Sequence, residues 1–148
     1  MNTQDFEKTY PGFTGENLFG TGNPNDAYAR YFTGDSFLRL LTAPEVGLSI
    51  ANVTFSPACR NFWHIHHAAS GGGQILLCTA GMGWYQAKGE APVALRPGSV
   101  VVIPAGVEHW HGAAKNSPFA HIALEMPGTD CHTEWCREVT AEEYDRLD

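Results

Sequence analysis

Histidines are concentrated in this chain rather than scattered. Six of the seven lie in the segments His64-Ile65-His66-His67 and His109-Trp110-His111 and at His121. Each segment contains a His-x-His pair, and side chains two residues apart on an extended strand project from the same face. Two such strands that face one another can surround a metal ion. The fold must therefore bring two strands that are distant in sequence together, face to face.

The sequence also predicts the strands that such an arrangement needs. Apolar residues alternate with small or polar ones from Val46 onwards, which predicts a strand that ends at Phe55. The further predicted strands span residues 62–67, 74–79, 83–87, 93–95, 100–103, 108–113 and 119–125. Turns rich in glycine and proline separate them at intervals of roughly 8–12 residues. This rhythm is typical of an all-β barrel.

Less regular segments flank the predicted barrel. Residues 1–27 are rich in Gly, Asn and Pro, and we expect an irregular arm wrapped over the barrel. Residues 28–130 are expected to form one barrel domain, whose first two segments fit either edge strands or short helices. Residues 131–148 predict a C-terminal segment with one short helix, in which Thr140 and Glu143 supply the two halves of a capping box.

Charge and hydropathy exclude several classes of partner. Sixteen acidic residues against nine basic ones give a net charge of -7, without any cluster of Lys and Arg. Nucleic acid is therefore not an expected partner. The chain has neither an apolar run near the roughly 20 residues of a membrane span nor a cationic leader followed by an apolar core. We expect a soluble, cytoplasmic protein that does not associate with membranes.

The spacing around the second histidine pair resembles a motif of the cupin superfamily. The chain reads Gly98, five residues, Pro104, one residue, Gly106, two residues and His109, as the second cupin motif does. This resemblance implies a single-domain cupin barrel, which is an all-β double-stranded β-helix or jelly roll. The flanking segments add an N-terminal arm and a short C-terminal helix.

The first cupin motif is present with departures. It reads Gly, five residues, His-x-His, three or four residues, Glu, six residues and Gly. Here Ala58 replaces the first Gly, with five residues between it and His64. Gln74 takes the Glu position, with six residues between it and Gly81. The three or four extra residues between His66 and Gln74 fall in a glycine-rich stretch, which we expect to bulge out as a flexible loop.

These spacings give four candidate metal ligands, His64, His66, Gln74 and His109. Three imidazoles and one oxygen suit a divalent transition metal such as manganese, iron, cobalt, nickel, copper or zinc, and leave open positions for substrate or water. Because Gln74 is neutral, the site keeps one more positive charge than a cupin with Glu. That charge makes the metal a stronger Lewis acid and a weaker reductant, which favours polarisation of a bound oxygen over activation of dioxygen.

Three further residues are candidates for proton transfer. His111 shares a strand face with His109, and His121 and Glu125 share one face of the next apolar strand. If His109 points into the barrel, these side chains do so as well. They can act as general acid or base beside the metal. Alternatively, they orient the metal ligands.

A narrower resemblance links the chain to small bacterial cupins that include manganese-dependent hydroxynitrile lyases. Its most distinctive part is the run His109-Trp-His-Gly-Ala-Ala114. The pair His64 and His66, together with Gln74 and His121, also belongs to it. The resemblance implies manganese as the metal, the four ligands given above, and His111 and His121 as the catalytic histidines. The family's lyases carry Gln where this chain has Glu125, and they lack the glycine-rich insertion.

The leading hypothesis is a metal-dependent lyase or related acid–base enzyme that acts on a small oxygenated molecule, such as a cyanohydrin or hydroxy-carbonyl compound. Two alternatives keep the same site. One is a non-haem iron dioxygenase, and the other is a non-catalytic module that binds a small molecule.

The chain also resembles cupins associated with carboxymuconolactone decarboxylase, which implies a functional link to such a protein. Cupins commonly dimerise, so a homodimer or a higher homo-oligomer is expected.

Overall fold

The computed structural model describes residues 1–147 and consists mainly of short strands. None of the helices in these residues is both long and apolar enough to cross a bilayer. The helices are α1 (Thr3–Thr9), α2 (Pro11–Glu16) and α3 (Ala141–Asp145). The strands are β1 (Asn23–Pro24), β2 (Phe32–Thr33), β3 (Ser36–Leu40), β4 (Ile50–Phe55), β5 (Arg60–Asn61), β6 (His64–His67), β7 (Ser70–Gly71), β8 (Gln74–Gly81), β9 (Gly83–Ala87), β10 (Val93–Leu95), β11 (Val100–Ile103), β12 (Glu108–Ala113), β13 (Phe119–Glu125), β14 (Gly128–Thr129) and β15 (His132–Trp135).

Two antiparallel sheets form the jelly-roll barrel that the sequence predicts. The first has the order β1-β3-β4-β13-β8-β11. The second has the order β10-β9-β12-β5-β2, and its strand β12 also pairs with β6, which pairs in turn with β15. Sequence neighbours are often not sheet neighbours, so the two histidine-bearing strands β6 and β12 meet through a long-range pairing in which His109 lies opposite His64.

The barrel core lies between the sheets, and the alternation of each strand determines which side chains reach it. Along β8 the residues alternate between buried and more accessible positions, with Leu76 and Cys78 among the buried ones. Phe55 and Phe119 add large apolar surfaces to the same core. Trp63 and Trp110 instead pack with Val139 and Tyr144 in a separate cluster.

The prediction that residues 1–27 are irregular is wrong for α1 and α2. Asn2 caps α1 by accepting a hydrogen bond from the backbone N–H of Asp5. Phe6 is fully buried and its ring lies 4.9 Å from that of Phe37 in β3. Pro11 occupies the first turn of α2, where proline is tolerated. Pro11, Gly12 and Gly15 therefore lie within a helix, whereas Gly20, Gly22 and Pro24 lie outside the helices, as predicted for the irregular arm.

Other boundaries also differ from the predictions. The strand predicted from Val46 begins only at Ile50, because Pro44–Val46 forms a 3-10 turn that ends at Gly47 with a φ of 76°. Residues 28–33 form the 3-10 turn Ala29–Tyr31 followed by β2. Residues 37–41 lie largely in β3, so this second ambiguous segment is a strand.

The glycine-rich insertion is ordered rather than a flexible loop. Its strand β7 pairs with β14, which follows β13 in the sequence. Gly71, Gly72 and Gly73 all have positive φ, a region that favours glycine. A Cβ at Gly73 would also collide with the carbonyl oxygen of Ile103. The insertion is therefore a tight ribbon at the edge of the barrel, next to the start of β8.

The predicted capping box at the C-terminal helix is confirmed. The Thr140 side chain accepts from the backbone N–H of Glu143, whose carboxylate accepts from the Thr140 N–H at 2.9 Å. Both guanidinium Nη atoms of Arg137 donate to the same carboxylate, at 2.8 and 2.6 Å. Hydrogen bonds from Arg137 are the main reason that the pKa of Glu143 falls to about 2.

Acid is expected to weaken this C-terminal anchor. The pKa of Glu143 falls from an ordinary value of 4.5 to about 2. The contribution of its charge to stability is therefore present above about pH 4.5 and lost as the pH approaches about 2. Thermal unfolding of the wild type and Glu143→Gln across this range should show a difference in Tm that is constant near neutrality and narrows in acid. A difference that does not change with pH would contradict this assignment.

Candidate metal centre

A cavity of about 210 Å³ opens between the two sheets. Its polar side is formed by His64, His66, Gln74, His111, His121 and Glu125, and its apolar side by Phe32, Leu38, Ala51 and Val53. Pockets for drug-sized ligands span roughly 300–1,000 Å³, so this cavity suits a smaller molecule. Every predicted site residue except His109 lines it. His109 is fully buried next to His64.

Three imidazoles converge at the polar side. His64 and His66 are both buried because they lie two residues apart on β6 and share its inner face. The ring centroids are 4.2 Å apart for His64 and His109, 5.0 Å for His64 and His66, and 5.2 Å for His66 and His109. The two His-x-His segments thus meet, but as neighbouring strands of one sheet and not face to face as predicted.

Backbone carbonyls fix the orientation of two of these rings. Nδ1 of His64 donates to the carbonyl oxygen of Phe62 at 2.8 Å, and Nδ1 of His109 donates to that of Val107 at 2.9 Å. Since a carbonyl only accepts, each neutral ring carries its hydrogen on Nδ1 and a lone pair on Nε2. The Nε2 atoms of His66 and His109 are buried without a hydrogen-bond partner in residues 1–147. Such orphaned nitrogens are what a metal ion would satisfy.

Gln74 supplies an oxygen at the same place. Its Nε2 donates to Oε1 of Glu125 at 2.6 Å, across the register that pairs these two residues in β8 and β13. A carboxylate only accepts, so the amide nitrogen must face Glu125. The amide Oε1 is buried and has no protein partner within the described chain. The donor set of three imidazoles and one amide oxygen therefore fits a divalent transition metal.

Burial keeps the imidazoles in the neutral form that binds metals. It lowers the pKa of His64 well below the ordinary value and that of His109 to about 4. Burial also lowers the pKa of His66, against opposing effects from the Glu125 carboxylate and from Gln74. All three rings are consequently unprotonated at neutral pH, and their lone pairs are available.

His111 is a geometric competitor for the third imidazole position. One ring nitrogen from each of His64, His109 and His111 lies within 4.8 Å of the others. The ring nitrogens of His111, however, are engaged by Asn61 and His121. Nε2 of His66 is free of protein partners in the part of the chain that the structure describes. Available lone pairs therefore favour His66 over His111 as a ligand.

His111 and His121 form a buried hydrogen-bonded pair. Asn61 Oδ1 accepts from the backbone N–H of His111 at 2.9 Å, which leaves the Asn61 amide nitrogen to face Nε2 of His111 at 3.2 Å. An amide nitrogen donates, so Nδ1 of His111 carries the ring hydrogen and donates it to Nε2 of His121 at 3.0 Å. Nδ1 of His121 then carries a hydrogen and is buried without a partner in residues 1–147.

Both members of the pair are neutral. Burial, followed by the proximity of His121, lowers the pKa of His111 well below the ordinary value. Burial lowers the pKa of His121 to about 4. A neutral, hydrogen-bonded pair of this kind can accept one proton and share it between its rings.

Glu125 was predicted either to transfer protons or to orient a metal ligand. Its carboxylate is exposed and accepts a hydrogen bond from Gln74, which is the contact that the second alternative requires. Its contact with the amide orients a candidate ligand. Glu125 is the last residue of β13 and lines the cavity.

The carboxylate of Glu125 is expected to strengthen metal binding through Gln74. Glu125→Ala frees the amide to rotate and should weaken the affinity for Mn²⁺ by roughly 10–100-fold in titration calorimetry. Glu125→Gln keeps an acceptor and should retain most of the affinity. Glu134→Ala is a matched control, because this exposed carboxylate bonds to His67 on the outer face. Unchanged affinity in Glu125→Ala would contradict the assigned role.

Several cavity residues were missed by sequence reasoning. Trp135 lies on β15, which was not predicted as a strand, and its ring centroid is 4.7 Å from that of His64. It also stacks on Tyr31 at 4.5 Å. Asn25 comes from the segment before the predicted barrel, and Tyr28 is the first residue of that barrel. Their contributions depend on long-range packing, and the sequence offers no local signal for them.

A double-stranded β-helix with clustered imidazoles in its cavity defines the class of protein. A family model described as AraC-like ligand binding domain matches residues 49–143. A cupin-like protein from Thermotoga maritima has a TM-score of 0.75 and 36% identity, covering 87% of this chain and 95% of that one. The chain belongs to the cupin superfamily.

Among individual relatives, the (R)-mandelonitrile lyase of Granulicella tundricola is 39% identical over 120 residues. The match covers 80% of this chain and 88% of the relative. A cupin-2 domain from Rhodospirillum rubrum, at 15% identity and a TM-score of 0.60, covers 79% of this chain and 73% of its own. The similarity to this second protein shows the fold alone.

Proposed function

We propose that this protein is a metal-dependent lyase that cleaves a carbon–carbon bond in a small α-hydroxy nitrile or a related hydroxy-carbonyl compound. The observation that carries the proposal is the buried His111–His121 pair next to imidazoles with free lone pairs. The 39% identity to a mandelonitrile lyase supports it. The small cavity agrees with a substrate of this size.

The residues that would hold the metal are His64, His66 and His109 through Nε2 and Gln74 through Oε1. A divalent metal bound there supplies Lewis acidity that polarises the substrate oxygen. We propose manganese, although iron, nickel, cobalt and zinc accept the same donors. Gln74 itself is neutral, and the carboxylate of Glu125 adds a negative charge next to its amide nitrogen.

The histidine pair moves the proton in the proposed reaction. The substrate hydroxyl gives its proton to the pair at Nε2 of His111, in place of the Asn61 contact. The carbon–oxygen bond becomes a carbonyl as the bond to the nitrile carbon breaks and its electron pair leaves with cyanide. The hydrogen bond from Nδ1 of His111 to Nε2 of His121 stabilises the protonated ring. Nε2 of His111 then gives the proton to the cyanide, so both rings return to their starting tautomers. The products are an aldehyde and hydrogen cyanide.

The direct test is the release of benzaldehyde from mandelonitrile by manganese-loaded protein, with His109→Ala as the blank. Turnover well above the blank supports the proposal, and the absence of turnover in protein shown to contain metal contradicts it. The same assay without oxygen separates the lyase from a dioxygenase. A dioxygenase requires oxygen uptake, whereas the lyase reaction consumes none.

A second candidate is a binding module without catalytic activity. It is favoured by the match of residues 49–143 to a ligand binding domain. This candidate predicts that metal and small molecules bind in the cavity but are not converted. Multiple turnovers of any substrate that His109→Ala abolishes would exclude it.

A further inference from the structure

The N-terminal segment contributes a polar residue to the cavity wall. Asn25 lines the cavity, yet only 6% of it is exposed. Its backbone N–H donates to the carbonyl of Ser36 at 3.0 Å, and its side-chain Nδ2 donates to the Ser36 hydroxyl at 3.3 Å. These contacts fix both the backbone and one end of the amide to β3.

The other end of this amide is unsatisfied. Oδ1 of Asn25 is buried and meets no hydrogen-bond donor in residues 1–147. Burying a carbonyl oxygen without a hydrogen bond is unfavourable, and such groups are rare in folded proteins. The buried nitrogens and the amide oxygen of the metal site are orphaned in the same way. On a cavity wall, an orphaned acceptor indicates a donor on the molecule that occupies the cavity.

The wall around Asn25 differs in character from the histidine side. Phe32, Leu38, Ala51 and Val53 line the same cavity with apolar side chains. A molecule that complements this cavity therefore has one polar group at the imidazoles and an apolar body. It also has a second polar group that donates a hydrogen bond to Oδ1 of Asn25.

We propose that Asn25 is a substrate-binding residue whose Oδ1 accepts a hydrogen bond from a hydroxyl or amino group remote from the reacting carbon. This assignment rests on the proposed lyase function, which places the reacting carbon of the substrate at the histidine side of the cavity. The substrate class is then an aromatic α-hydroxy nitrile, or the aldehyde it releases, with a hydrogen-bond donor on its ring. A substrate without this donor leaves Oδ1 unsatisfied and binds more weakly.

Binding of three aldehydes to manganese-loaded protein tests this assignment. Titration calorimetry with benzaldehyde, 3-hydroxybenzaldehyde and 4-hydroxybenzaldehyde gives the affinity ratio between hydroxylated and plain rings. The wild type should bind one hydroxylated isomer roughly tenfold more tightly than benzaldehyde, as expected for one added hydrogen bond in a buried site. Asn25→Ala should remove this preference, and Asn25→Asp should preserve it because a carboxylate also accepts.

Asn23→Ala is the matched control, since Asn23 lies two residues before Asn25, on β1, but is exposed. Asn25→Leu, which keeps the branching of the side chain at Cγ and lacks the acceptor, replaces Asn25→Ala if that variant has a lowered Tm. An unchanged ratio in a folded Asn25 variant overturns the proposal. Equal affinities of all three aldehydes for the wild type, or no binding of any of them, overturn it as well.

The readout is independent of turnover. A protein that prefers a hydroxylated aldehyde through Asn25 but does not cleave mandelonitrile keeps this inference and fails the lyase proposal. A protein that cleaves mandelonitrile without such a preference keeps the lyase proposal and loses the role of Asn25.

Discussion

Replacing His109 with alanine is expected to abolish both metal binding and turnover. The ring of His109 is fully buried, Val107 holds its Nδ1, and its Nε2 has no partner in the described residues. The substitution removes a proposed ligand rather than a group that orients one. The affinity for Mn²⁺ should therefore fall by more than the roughly 10–100-fold typical of lost orienting contacts. Metal content after dialysis and titration with Mn²⁺ measure this loss.

A histidine on the outer face is the control for this experiment. His67 lies next to His66 in sequence but bonds to Glu134. His67→Ala should keep the metal content and the turnover of the wild type. Full metal content in a folded His109→Ala protein would exclude His109 from the ligand set.

Replacing His121 with alanine is expected to separate catalysis from metal binding. His121 is fully buried, and its Nε2 accepts the hydrogen bond from His111 at 3.0 Å. Its loss removes the second half of the proton-transferring pair but none of the proposed ligands. The variant should keep its manganese and show a kcat lower by about 10²–10⁴-fold, the usual contribution of general acid–base catalysis.

Parallel measurements of metal content and mandelonitrile cleavage test this prediction. His132→Ala provides a control, because His132 is exposed and stacks on His67 away from the cavity. Undiminished turnover in His121→Ala would remove the residue from the mechanism. Loss of metal together with activity would instead indicate that His121 acts on the ligands.

The sequence was sufficient to predict the central strands and the convergence of the histidines. The bounds of Gly83–Ala87, Val100–Ile103, Glu108–Ala113 and Phe119–Glu125 agree with the prediction. Turns that contain glycine, proline or polar residues bound these strands, although β12 and β13 are buried along most of their length and do not alternate. The same period of two brought His64 and His66 to one face.

Long-range packing accounts for what the sequence did not reveal. The helix α1 depends on the burial of Phe6 against Phe37, which no local pattern indicates. The contact between Gln74 and Glu125 depends on the register between β8 and β13. Trp135 reaches the cavity only because β15 pairs with β6, so a short segment without clear alternation became part of the site.

The polar attachment of the N-terminal segment has an evolutionary consequence. Asn17 donates to the Thr54 hydroxyl and accepts from Asn52, so buried hydrogen bonds fasten this segment to β4. The proposed metal ligands all lie on β6, β8 and β12, whereas Asn25 belongs to the fastened segment. Mutations there can therefore change which molecules are selected while the ion-binding strands are conserved. In such a barrel, the choice of substrate can therefore change from one relative to another without a change in metal affinity.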